Sequence, residues 1–156
     1  MPFTRRMARE ALPKIALNDD RVLTNLLTQM VKNEHAVTTP VSNTTAGNVT
    51  YTADDLLSGL IVRDPNGLAR TDTLPTAALL IAALQPDVEV GDIFRAAIVN
   101  GADAAETITL GAGTGGTFPA AQTAASRVIP QNAGRELIIQ ITGVTAGAEA
   151  YTAYLI

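Results

Sequence analysis

The chain has no cysteine and no tryptophan, and only three phenylalanines, three tyrosines and one histidine in 156 residues. Without cysteine there are no disulfides, no thiolate metal ligands and no cysteine nucleophile, so stability must come from packing or from association between chains. No apolar run approaches the ~20 residues of a membrane span. No apolar stretch follows Arg5 and Arg6 as a secretion signal would require. Neither a membrane partner nor export is therefore expected. His35 has no second histidine or cysteine to join it, so no metal site and no cofactor are expected either.

What is present is aliphatic and small. The chain is 47% hydrophobic but only 4% aromatic, so its apolar content is Ala, Val, Leu and Ile, set among abundant Thr and Gly. That mixture favours short strands and turns. Charge is unevenly spread: Arg5, Arg6, Arg9 and Lys14 against Glu10 give residues 1–14 a balance of +3, which leaves −7 on the rest of a chain of net charge −4. A basic arm on an acidic body points to a negative surface that the arm touches, either nucleic acid or an acidic protein face. The acidic, aromatic-poor body is no nucleic-acid binder.

Along the chain, Pro13 interrupts any helix in the arm. Asn18, Asp19 and Asp20 supply capping chemistry for a helix over 20–33, whose Val22, Leu23, Leu26, Leu27, Met30 and Val31 share one face. A helix this short needs a surface to dock on. Residues 34–48 read as a linker, so residues 1–48 form an arm, an amphipathic helix and a linker, and 49–156 a β-rich domain.

Within that domain Val49–Thr52 alternates as a strand, and Thr52 caps a short helix over 53–57 that Gly59 ends. Leu60–Val62 is a brief strand before the turn Asp64-Pro65-Asn66-Gly67. Thr71, Asp72 or Thr73 is expected to cap the next helix, with Pro75 in its first turn. That helix runs through Ala77–Leu84 and is apolar almost all round, so it is expected to be buried beneath a sheet or where subunits meet. Strands follow over 90–100, 106–110, 126–129, 136–142 and 149–156, with Asn100-Gly101 as a hairpin signal between the first two. Their spacing predicts a mainly β fold, a jelly-roll-like β-sandwich with one short buried helix.

The motifs carry little chemistry, and no enzymatic activity is expected. Gly111-Ala112-Gly113-Thr114-Gly115-Gly116 lacks the Lys-Ser/Thr of a phosphate loop and precedes no helix, so it reads as a turn-rich connection. The carboxylates Asp54, Asp55, Asp64 and Asp72 have jobs as cap or turn residues, and Ser58 and Ser126 have no nucleophile elbow. Arg63 and Arg70 flank the Pro-Asn-Gly turn and can pair with Asp64 or Asp72, within one chain or across an interface.

Three stretches, YTADDLLSGLIVRDPNGLARTDTLPTAALLIAAL, VGDIFRAAIVNGADAAETITLGAGTGGT and GVTAGAEAYTAYLI, together resemble small virion structural proteins of tailed bacteriophages that act as head decoration or cement. The resemblance covers 49–156 and carries no catalytic residues. It implies a compact β-rich module, assembled as a homotrimer on the phage head surface where copies of the major capsid protein meet. On that reading Phe3, Arg5, Arg6, Arg9, Leu23, Leu26, Leu27 and Met30 are candidate capsid contacts. Arg63, Arg70, Asp72, Leu79, Leu80 and Leu84 are the candidate oligomer interface. The rival expectation is a phage fibre or receptor-binding module that recognises a cell-surface glycan.

Overall fold

Alternating burial along two long antiparallel strands builds the middle of the main sheet. In β8 (Gly134–Gly143) Leu137, Ile139 and Ile141 point inward, and in β9 (Ala150–Leu155) Tyr151, Ala153 and Leu155 do the same. The period of two places all six on one face, and the two strands pair antiparallel. The computed structural model describes residues 39–156. The arm and the helix expected over 20–33 lie outside the described residues, as do the candidate capsid contacts they carry.

The remaining elements, in chain order, are β1 (Val41–Asn43), α1 (Ala53–Leu57), β2 (Leu60–Arg63), β3 (Arg70–Thr73), α2 (Ala77–Leu84), β4 (Ile93–Asn100), β5 (Ile108–Gly111), β6 (Gly116–Thr117) and β7 (Val128–Ile129), which follows a 3-10 turn over Ala124–Arg127. They form a mainly β fold of two sheets: a six-stranded sheet in the order β1-β2-β4-β8-β9-β6 and a three-stranded sheet in the order β3-β5-β7. Ile61, Ile98, Leu137, Ile139 and Tyr151 from the first share one core with Ile108, Leu110 and Ile129 from the second, joined by Leu56 of α1 and by Leu80 and Ile81 of α2. Four of the seven ladders are parallel. A jelly roll, by contrast, is built from antiparallel strands.

Several local expectations meet their physics directly. Thr52 caps α1, accepting from the Asp55 N–H while Asp55 Oδ2 accepts from the Thr52 N–H at 2.7 Å, a complete capping box. Gly59 ends that segment with φ of 80°, and the 64–67 turn has Asn66 at φ 53° and Gly67 at φ 103°.

Other expectations are corrected. Residues 41–43 are not linker but an edge strand, paired parallel with β2. Val49–Thr52 contributes only a single bridge, Thr50 to Thr73. The Thr71-Asp72-Thr73 run is strand β3, and the cap of α2 is Thr76, which accepts from the Leu79 N–H. Nor do β4 and β5 form a hairpin. β5 leaves for the other sheet, where it pairs parallel with β3 and antiparallel with β7. The reason lies in Asn100, whose side chain is fully buried. Its amide nitrogen donates to the Glu106 carbonyl at 2.9 Å and the Ile129 carbonyl at 3.0 Å, and its oxygen accepts from the Ala102 N–H at 3.1 Å. Those bonds shape a wide loop where a two-residue turn was expected.

Within the glycine-rich run 111–116, Gly113, Gly115 and Gly116 are required by close approach. A Cβ on Gly113 would stand 2.4 Å from the Leu74 carbonyl oxygen and 2.5 Å from that of Pro75. Gly113→Ala is therefore expected to cost about 2 kcal/mol or more. Gly47→Ala, which adds a Cβ with nothing within 4 Å, is expected to stay within about 0.5 kcal/mol. Urea unfolding of the two variants measures the difference.

Candidate interaction surface

Two of the sequence-selected residues find each other, inside the protein. Arg63 ends β2 in the large sheet and Asp72 sits within β3 of the small one; both are fully buried. Arg63 Nε donates to Asp72 Oδ2 at 2.8 Å. Its Nη1 donates to the carbonyls of Thr45, at 2.9 Å, and Asp64, and its Nη2 to the carbonyl of Gly47. Asp72 in turn accepts the Tyr51 hydroxyl at 3.0 Å on Oδ2 and the Val49 N–H at 2.9 Å on Oδ1. The guanidinium fork thus has a carboxylate and a ring of backbone oxygens, and the carboxylate has three donors. A buried pair is tolerated only when satisfied in this way.

This corrects the interface assignment. Arg63, Asp72 and Leu80 have no exposed surface, so none of the three can meet a second copy or any other partner. The pair is neither a surface pair nor an intersubunit one. Arg70 is half-buried, its Nε donating to the Pro65 carbonyl at 3.3 Å. Sequence reasoning missed Tyr51 and the carbonyls of the supposed linker, since a Thr-Asn-Ser-Gly run gives no sign that its backbone oxygens will be ligands.

The surface that remains is the outer side of α2. Ala77, Leu80 and Ile81 face the core, while Ala78, Leu79, Ala82 and Ala83 face outward, with Leu79 63% exposed and Leu84 half-buried. The helix is thus buried on one side only. An open hollow of about 400 Å³ lies beside Leu79 and Ala83, bounded by Ala53 and Asp54 at the start of α1 and by Pro75 and Thr76. A second, of about 270 Å³, lies at the far end of α2, where Leu84, Val88, Ile93 and Phe94 meet Asp87 and Asp92. Ile93 at this hollow is 57% exposed, and Val90 nearby in sequence is 62% exposed. Neither hollow gathers an acid, a base and a nucleophile. Among the described residues no cluster of His, Cys, Asp and Glu is arranged to hold a metal ion, and no helix is long and apolar enough to cross a membrane. Comparison of the chain with protein-family models, curated proteins and solved structures found no match.

Removing one member of the central pair strands the other. Arg63→Met and Asp72→Leu are each expected to lose about 3–5 kcal/mol, and the double variant Arg63→Met/Asp72→Leu to lose less than their sum, as a double-mutant cycle by urea unfolding measures. The network also carries a pH signature. Burial, reinforced by the neighbouring Asp72 carboxylate, pushes the Tyr51 phenol above its ordinary value near 10. A raised folded value means that the folded protein keeps this proton where the unfolded chain loses it. The Tyr51 contribution is thus complete below about pH 10 and declines as pH rises beyond it. Tyr51→Phe should flatten the alkaline loss of stability measured between about pH 9 and about pH 11.

Proposed function

We propose that the chain is a capsid decoration protein of a tailed phage, a structural protein that binds the outside of the head and strengthens contacts between major capsid subunits. The observation that carries this reading is the outer side of α2. Leu79, with Ala78, Ala82 and Ala83, makes an apolar strip without charge on a two-sheet body. Exposed apolar surface of this kind, bordered by polar residues such as Asp54 and Thr76, is how an association site presents itself. The likeness of 49–156 to virion decoration modules gives the association its setting, and the two sheets are read as the faces of a sandwich.

In this assignment protomers form a homotrimer through Leu79 and the half-buried Leu84. Arg63, Asp72 and Leu80 are buried and hold the protomer together. The basic segment with Phe3, Arg5, Arg6 and Arg9, and the 20–33 segment with Leu23, Leu26, Leu27 and Met30, reach the shell. Three weak contacts on one trimer gain affinity through effective concentration, with no need for a strong single site.

Sedimentation of the full chain tests the association: the wild type should run as a trimer, and Leu79→Asp should weaken assembly at least about ten-fold in concentration while the protomer stays folded. A wild-type monomer at high concentration contradicts it. For the shell contact, charge reversal at Arg5, Arg6 and Arg9 should reduce binding to heads that lack the protein and leave sedimentation unchanged. Undiminished decoration by that variant contradicts the anchoring role.

A further inference from the structure

The sequence holds two Asn-Gly pairs, Asn66-Gly67 and Asn100-Gly101. In such a pair the backbone nitrogen after the asparagine can lose its proton to solvent hydroxide and attack the side-chain amide carbon, while the departing amide nitrogen takes a proton from water. The amide nitrogen leaves as ammonia and a five-membered succinimide forms. Water then opens one of the two imide carbonyls to give aspartate or isoaspartate. Glycine favours the attack because no side chain obstructs it. The structure treats the two pairs differently.

We propose that, of the two pairs, Asn66 is the site of spontaneous deamidation and isoaspartate formation, and that Glu106 sets its rate by holding the Gly67 N–H. Asn100 is closed to the reaction: its side chain is fully buried with both ends hydrogen-bonded, and the Gly101 N–H donates to the Arg63 carbonyl at 2.9 Å. Asn66 is exposed, in a left-handed turn, and its amide nitrogen makes one long contact, 3.3 Å, to the Thr44 carbonyl. The restraint on its ring closure lies on the attacking nitrogen. Gly67 N–H donates to Glu106 Oε1 at 2.6 Å.

Glu106 is 4% exposed, and its Oε2 has no hydrogen-bond partner among the described residues. The Gly67 N–H is therefore the donor that compensates this buried carboxylate. Succinimide formation removes that hydrogen and leaves both oxygens unsatisfied, so the buried carboxylate raises the barrier to closure. The site is also consequential. Isoaspartate would insert an extra backbone carbon into the 64–67 turn, whose Asp64 carbonyl accepts from Arg63 and whose exit leads into β3 and Asp72.

The test follows isoaspartate at both asparagines by peptide mapping of the full-length chain incubated at mildly alkaline pH, native and in concentrated urea. Native protein should accumulate the product at Asn66 and not at Asn100, with Asn66 about ten-fold or more slower than in urea, where both react. Glu106→Ala should speed Asn66 by about ten-fold with Asn100 still protected, a pattern that also certifies the fold. Glu106→Gln, which keeps an acceptor oxygen, should lie between. Native Asn66 reacting at the urea rate, Asn100 reacting first, or a folded Glu106→Ala at the wild-type rate would each overturn the proposal. If Glu106→Ala exposes Asn100 as well, amide hydrogen exchange at Gly67 in the wild type decides: protection supports the assignment, and exchange at an open loop's rate overturns it.

Discussion

The ion pair between Arg63 and Asp72 is the constraint around which the other contacts are arranged. It joins the last residue of β2, in one sheet, to the middle of β3, in the other, with Tyr51 closing the far side of the carboxylate. Two charges withdrawn from water on this scale are costly, and their attraction repays the cost only if every donor and acceptor finds a partner. Segments that would otherwise be free are thereby committed. The backbone at Thr45 and Gly47 must turn its carbonyls toward Arg63, Val49 must turn its N–H toward Asp72, and the Asp64 turn must fold back. A hydrophobic pair would bind the sheets without fixing the path of residues 43–51, whereas this pair fixes it.

That dependence explains what could and could not be read from the sequence. Features whose cause is local were legible: the Thr52 cap, the left-handed Asn66-Gly67 turn, and the strands expected over 136–142 and 149–156. Features whose cause is a distant partner were not. Thr-Asp-Thr has the composition of a helix cap, and only Arg63 and the pairing with β5 make it a strand. Asn100-Gly101 has the composition of a hairpin turn, and only the burial of the Asn100 amide against the carbonyls of Glu106 and Ile129 opens it into a crossover. Residues 41–43 have no apolar alternation, and their strand exists because β2 offers an edge. On the candidate surface, the apolar character of α2 was plain from AALLIAAL. Which of its leucines face out depends on the rotation of the helix against the core, which placed Leu80 inside and Leu79 outside.

The functional reading rests on the same division. Among the described residues the interior is mostly aliphatic, with the Arg63–Asp72 network set within it. The exterior keeps an apolar strip that no described segment of the chain covers. An exposed apolar strip over a hydrogen-bonded core, with a basic segment elsewhere in the sequence, is what the proposed role of holding other proteins together would use. It also locates the chemical weak point, since the turn beside the ion pair holds the exposed Asn66.

The measurement that tests this account most directly is the protein composition of particles purified from cells that make the chain. A head decoration protein should remain with intact particles through density-gradient purification, in fixed proportion to the major capsid protein. Abundance in the lysate together with absence from purified particles would contradict it.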